Sequence, residues 1–197
     1  MWQSIIPKAQ EDISVDEFFT KFVPEQFHQM NDLLNVIDLS FLNNSDFRMQ
    51  FDIDSKVYSV IFRNGKDLKI TKGAIDEPNF TLIIGEKDWR DAVTGKFNDM
   101  ADDFTGNPIA LMDAKHYESL MGMTGKVNMN LKKKDGSTLP LSFIFNDKEN
   151  PAVTINLNIS DALQLVNKSS TGIGLFMDGK LKFTGSSVLL MKLQTLL

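Results

Sequence analysis

The sequence predicts a protein of mixed strands and helices, and three observations carry that expectation. Residues 47–84 contain runs in which apolar and polar residues alternate between turn dipeptides, as half-buried strands require. Residues 25–42 place Phe27, Met30, Leu33, Leu34, Ile37 and Phe41 at the spacing of one helical face. The last stretch, 174–197, joins both patterns: Lys180 to Thr184 alternates, Gly185 breaks the strand, and Ser186 or Ser187 can cap a following helix.

Taken in order, residues 1–13 read as an irregular arm containing Pro7. Ser14 is placed to cap a short helix over 15–22, with Asp16 and Glu17 in the first turn, where the helix dipole favours negative charge. Pro24 either stops that helix or opens the next, which runs to Leu42 and closes at Asn43-Asn44-Ser45-Asp46. Phe47, Met49, Phe51 and Ile53 alternate as one strand and residues 57–63 as a second, with Asp54-Ser55-Lys56 as the hairpin turn. Asn64-Gly65 turns the chain again, and strands near 68–71 and 80–84 complete a meander. Residues 86–94 read as a short helix with Gly95 at its C′ position.

The second part repeats the theme. A helix from Asn107 or Asp113 to Leu120 ends at Gly122, and strands at 127–131 and 139–145 flank the tip Lys132-Lys133-Lys134-Asp135-Gly136. That lysine run reads as a solvated hairpin tip, with a weak contact to anionic lipid headgroups as the functional alternative. A strand at 153–157 precedes a helix that Ser160 would cap. In the final stretch Asp178-Gly179 is a turn signal. The tail beyond it is apolar at 188, 189, 190, 191, 193, 196 and 197. So wide an apolar surface must lie on something apolar or serve as a binding surface.

Phe176-Met177-Asp178-Gly179-Lys180-Leu181-Lys182, then Gly185, then Met191-Lys192-Leu193-Gln194 resembles the C-terminal end of the sterol carrier protein type 2 (SCP2) family. That family is similar in showing Phe-Met-x-Gly-Lys-Leu-Lys-x-x-Gly ahead of a terminal helix containing Met-Lys-Leu-Gln. Asp88-Trp89, leading to Thr94-Gly95-Lys96, is similar to a second signature, an Asp-aromatic pair that opens a helix ending in Thr-Gly-Lys. The resemblance implies an α+β fold, with a mixed sheet of about five strands, helices on one face, and an apolar tunnel for lipids.

In the family the final motif follows the helix motif within a few tens of residues, whereas here it arrives about eighty residues late. An internal repeat accounts for the delay. Phe104-Thr105-Gly106 with Leu111-Met112 matches Phe183-Thr184-Gly185 with Leu190-Met191, and Pro78 to Thr81 maps onto Pro151 to Thr154. The strand of Met49 maps onto that of Met129. The expected organisation is an arm and short helix over 1–23, an SCP2-like half over 24–112 and a second over 113–197. The second copy lacks a strand-length piece after its hairpin. No Gly/Ser-rich linker separates the halves, so they are expected to pack as one globule, a duplicated pseudo-symmetric pair.

Composition narrows the function. The net charge of −5 and the lack of a basic tract argue against nucleic acid as a partner. There is no cysteine, which removes disulfides, thiolate catalysis and Cys-based zinc sites. No basic and apolar leader opens the chain, and no run reaches the ~18 apolar residues of a membrane span. The chain ends in Thr195-Leu196-Leu197 rather than a Ser-Lys-Leu address, so a cytoplasmic location is expected.

No catalytic constellation is legible. His28 and His116 lie on helix candidates without partners at metal-ligand spacing. His116 with Ser119 makes no triad, Asp102-Asp103 reads as a solvated face, and Gly172-Ile173-Gly174 lacks the rest of a nucleotide fingerprint. No metal, cofactor or enzymatic activity is expected. The skew toward ten methionines and fifteen phenylalanines against two tyrosines suits a surface that accepts variable apolar shapes.

The expectation is therefore a non-enzymatic carrier of a hydrophobic ligand, whether sterol, fatty acid, acyl-CoA or phospholipid. Its tunnel would be lined by Phe176, Met177, Leu181, Phe183, Val188, Leu189, Met191 and Leu193 and closed by the terminal helix as a lid. Transient membrane-surface contact and a protein partner are compatible with it. The alternative is an interaction or accessory module with a filled tunnel that presents a lipid or isoprenoid substrate to a partner enzyme.

Overall fold

The computed structural model describes residues 8–29, 45–64, 67–96, 114–166 and 168–194. Eight strands form a single mixed sheet: β1 (Asp46–Ile53), β2 (Lys56–Arg63), β3 (Asp67–Lys72), β4 (Phe80–Ile84), β5 (Gly125–Lys132), β6 (Thr138–Phe145), β7 (Ala152–Asn158) and β8 (Lys182–Gly185). Their spatial order is β3-β2-β1-β4-β6-β5-β7-β8. Residues 30–42 of the helix expected over 25–42, the repeat anchors 104–112 and the tail 195–197 lie outside the described residues.

The α+β class is as expected, but the strand number is not. Eight strands stand where about five were expected, because β4 and β6 pair antiparallel, with Phe80 opposite Phe145 and Ile84 opposite Leu141. In the second half no strand intervenes between β6 and β7, which leaves an open row of backbone donors and acceptors on β6. Pairing that edge with β4 removes two exposed edges at once.

Register makes the sheet's two faces unlike. Residues directly opposite one another share a face. Met49, Phe51 and Ile53 therefore align with Tyr58 and Val60, with Phe80, Leu82 and Ile84, and across the junction with Leu141, Phe143 and Phe145. The row continues through Val127, Met129 and Leu131, then Val153, Ile155 and Leu157, to Phe183. Every strand residue of both hydrophobic clusters belongs to this one apolar face, and Leu141 packs against both clusters. The opposite face is mostly polar apart from Val57, Ile61, Ile83 and Ile144, with a side-chain ladder in which Ser142 Oγ donates to Asn128 Oδ1 at 2.8 Å and Asn130 Nδ2 to Asn156 Oδ1 at 2.9 Å.

The helices all supply residues to the apolar face. In the first half, α1 (Val15–Glu17), a π turn at Phe18–Phe22 and α2 (Val23–Gln29) run on without a break. Ser14 caps α1, its Oγ accepting from Glu17 N at 3.1 Å. Pro24 neither stops a helix nor opens one at its first position; it lies inside α2, just past the π turn. A proline there lacks its N–H and needs room for the carbonyl of Thr20, and a π turn supplies both allowances. Phe19 stacks on Tyr58 at 4.6 Å, and Phe18 meets Trp89 of α3 (Glu86–Val93) edge-on at 5.3 Å. Gly95 follows α3 with φ +80°, as its C′ position requires.

The second half contributes α4 (Ala114–Met121), α5 (Ile159–Val166), α6 (Gly172–Met177) and α7 (Ser187–Leu193). α5 begins at Ile159, so Ser160 lies within it rather than capping it. The lysine tip is only partly solvated. Lys132 and Lys134 are exposed, but Lys133 is 9% exposed and its Nζ sits 2.6 Å from Asp88 Oδ1, itself 16% exposed. This ion pair bolts α3 of the first half to the β5–β6 hairpin of the second. Asp88→Ala removes a charged partner from a nearly buried ammonium and should cost about 1.5–3 kcal/mol in denaturant unfolding, the range for a hydrogen bond to a charged group, with part of it recovered in Asp88→Ala/Lys133→Met.

Candidate functional site

The C-terminal half encloses a cavity of about 860 Å³ over the apolar face of β5, β7 and β8. Met129, Ile155, Leu157 and Phe183 form the floor, aligned by the pairings Met129–Ile155 and Ile155–Phe183. Leu165 of α5, Ile173 and Phe176 of α6, Leu181, and Leu190, Met191 and Leu193 of α7 supply the walls. Lys168, Ser170 and Thr171 of the α5–α6 connection line one part of it together with Gln194. Gln194 Nε2 lies 2.5 Å from where a Cβ on Gly172 would stand, which sets it beside the start of α6.

Local chemistry holds each wall. Thr171 caps α6, its Oγ1 accepting from Gly174 N at 3.0 Å, and fully buried Leu175 pins that helix to the core. Asp178-Gly179 is the end of α6 rather than a hairpin turn. Gly179 has φ +70°, and the N–H groups of Lys180 and Leu181 return to the Leu175 carbonyl, a glycine-terminated helix end. A left-handed glycine serves both structures, and so the turn signal did not reveal α6. Phe176 and Phe183 rings lie 5.6 Å apart. Ser186 caps α7 by accepting from Leu189 N at 3.2 Å.

Of the eight residues singled out from the sequence, Phe176, Leu181, Phe183, Met191 and Leu193 line the cavity. Met177 and Val188 instead face solvent, and Leu189 is fully buried in the core beside Gly125. On a helix of 3.6 residues per turn, Leu189 takes the inward direction, Leu190 and Leu193 its flank, and Val188 and Met191 the outer side. Sequence reasoning missed Met129, Ile155, Leu157, Leu165, Ile173 and Leu190. The alternation of Ile155 and Leu157 on β7 was the signal available for two of them.

Among the described residues the first half carries a groove of about 480 Å³ lined by Lys8, Asp12 and Glu25, and a smaller one of about 400 Å³ between α2 and the edge strand β3. Beside it, Asp16 Oδ1 accepts from the Tyr58 hydroxyl at 2.6 Å and from Lys72 Nζ at 2.9 Å. The Tyr58 bond and then Lys72 hold the Asp16 carboxyl below its ordinary value of 3.8. Burial, followed by Asp16, raises the Tyr58 hydroxyl above 10.0, and the Asp16 hydrogen bond raises Lys72 above 10.5. The cluster thus contributes stability fully above the unfolded aspartate value and below the unfolded tyrosine value. It loses that contribution as pH falls through the lowered Asp16 value or rises through the raised Tyr58 and Lys72 values. Asp16→Asn should flatten the acid limb of stability between about pH 2 and 5, read as the urea midpoint against pH.

No group of three or more His, Cys, Asp or Glu side chains able to hold a metal occurs among the described residues. His28 is exposed on α2. No described helix is long and apolar enough to cross a membrane.

The fold and the cavity together define a one-sided sheet with helices on its apolar face and an open apolar cavity between them. Residues 110–197, a little under half of the chain, match the sequence model of the SCP-2 sterol transfer family. The segment that builds the cavity lies within the matched residues, as does the motif over 176–194, while the helix motif at 88–96 falls outside the match. Among solved structures, sterol carrier protein 2 of Yarrowia lipolytica in its apo form is 23% identical, over 52% of this chain and 91% of its own, with a TM-score of 0.32. Sterol carrier protein 2 like 2 of Aedes aegypti is 14% identical over 90% of this chain and 98% of its own, with a TM-score of 0.24. The sec-alkylsulfatase Pisa1 of Pseudomonas sp. is 14% identical over 88% of this chain but only 16% of its own, with a TM-score of 0.22. No curated protein matches the chain.

Proposed function

We propose that this protein binds a lipid in the chamber between β7–β8 and helices α5, α6 and α7 and carries it without changing it chemically. The observation that supports the reading most directly is the chamber itself. Its volume of about 860 Å³ falls in the range of about 300–1,000 Å³ typical of small-molecule sites, and its floor and walls are apolar. Each methylene buried there contributes about 0.8 kcal/mol, so a long acyl chain requires few polar contacts. The polar lining residues Lys168, Ser170, Thr171 and Gln194 suit an anionic head, which favours a fatty acid or similar acyl ligand over a neutral sterol.

Native mass spectrometry of the purified protein, before and after organic extraction, tests the reading. A removable mass of a few hundred daltons is the expected result. Bare protein that also refuses added fatty acid overturns it in favour of an interaction module. Lys168→Glu should weaken fatty-acid uptake about fivefold to tenfold while leaving uptake of uncharged analogues unchanged, since one exposed ion pair contributes up to about 1 kcal/mol and reversal adds repulsion.

Two divergent copies, over 24–112 and 113–197, account for the architecture. In each, a hairpin (β1–β2 or β5–β6) is followed by a strand parallel to its first member and then a helix. The register sets Phe80 beside Met49 and Val153 beside Val127, so the Met49 position corresponds to Val127, two residues before Met129. Phe19 and Tyr58 stack over the first half's sheet, whereas the larger and more apolar cavity lies over the second, which favours the second half as the ligand carrier. Removing residues 186–197 would also strip Leu189 from the core, which makes point substitutions the better test of α7 as a lid.

A further inference from the structure

The face of α6 and α7 turned away from the core is unlike the rest of the surface. Ile173 is 62% exposed, Phe176 52% and Met177 81%, while on α7 Val188 is 63% and Met191 68% exposed. The spacings i, i+3, i+4 on α6 and i, i+3 on α7 put each set on one side of its helix. Among the described residues the one other large apolar side chain so exposed is Met121, at 36%. Scattered apolar residues are normal on a surface, whereas a cluster of five marks an interaction site.

Ile173, Phe176 and Met191 are also cavity-lining residues, so the chamber opens through the middle of this patch. Charge points to its occupant. Residues 168–192 contain Lys168, Lys180, Lys182 and Lys192 against Asp178 alone, a net charge of +3 in a chain whose total is −5, which leaves −8 on the remainder. A negatively charged surface therefore attracts this end and repels the rest, fixing one orientation.

We infer that the exposed face of α6 and α7 is a docking surface for anionic lipid membranes, and that docking sets the mouth of the chamber against the bilayer. The apolar side chains enter the headgroup layer while Lys168, Lys180 and Lys192 meet lipid phosphates and carboxylates; Lys182, opposite Asn156 on the polar face of the sheet, adds only to the long-range attraction. Only the consequence for loading rests on the chamber's being a lipid site; the docking does not.

The test is flotation of the full chain with phosphatidylcholine vesicles, with and without phosphatidylserine, alongside Met177→Glu/Val188→Glu. Neither substituted residue lines the chamber and both are exposed, so the fold and uptake of fatty acid from solution should survive. Wild-type protein should float with the phosphatidylserine vesicles, at least about tenfold better than with the neutral ones, and less so as salt rises. The double variant should lose about tenfold in vesicle binding with uptake from solution unchanged. Failure of the wild type to float with either vesicle, or equal flotation of the variant, overturns the inference. So does a wild-type dimer that the variant converts to monomer, which would assign the face to a second copy, or a protein partner retained on this face by a chain that ignores vesicles. Vesicle binding without any ligand uptake would sink the carrier reading and leave the docking surface standing.

Discussion

Gly125→Ala should destabilise the protein by about 3 kcal/mol or more, lowering Tm by at least about 6 °C for a chain of this size. Two effects combine at this position. Gly125 opens β5 with φ +126°, a backbone region that L side chains rarely adopt, and a Cβ there would stand 2.2 Å from the Pro151 carbonyl oxygen and 2.9 Å from Leu189 Cδ2. The carbonyl belongs to the strand start that pairs with β5, with Lys126 N donating to it at 2.9 Å, so neither partner can retreat. Gly136→Ala is the matched control. It has φ +84° but nothing within 4 Å of its Cβ position, so it carries the conformational penalty alone, about 1 kcal/mol. Equal effects of the two substitutions would show that the close approach of Pro151 and Leu189 is unimportant.

A double substitution within the chamber, Leu165→Trp/Leu190→Trp, is expected to reduce lipid uptake by roughly tenfold or more while preserving the far-UV circular dichroism spectrum. Both residues are half-buried on opposing walls, α5 and α7, so the added rings can extend into open space instead of overpacking the core. Removing several methylenes' worth of ligand burial at about 0.8 kcal/mol each accounts for the size of the loss. Equilibrium binding of a fluorescent fatty acid measures it. Undiminished binding would place the ligand elsewhere on the molecule.

Much of what organises this protein is local and was legible in its residues. Ser14 and Ser186 announce two helix starts because a hydroxyl beside a free N–H needs no distant partner. Asp54-Ser55 announces the β1–β2 hairpin, and both residues adopt positive φ there. Alternation along Phe47 to Ile53 and along Val153 to Leu157 assigned side chains to one face before any pairing was known. The motif over 176–194 pointed to the family that residues 110–197 match. By contrast, α6 was hidden because Gly172 and Gly174 are poor helix formers and Asp178-Gly179 reads as a turn, and it is the buried Leu175, together with the Thr171 cap, that holds the helix.

The sequence by itself thus determined which residues prefer strand or helix, which side of each strand is apolar, and to which family the C-terminal segment is related. Tertiary structure decided the rest. It joined β4 to β6 into one eight-stranded sheet, placed Lys133 against Asp88, and turned Leu189 inward while leaving Met177 and Val188 in solvent. Periodicity records the direction of a side chain relative to its own element. It carries no record of which open edge or apolar face, sixty residues away, will close over it.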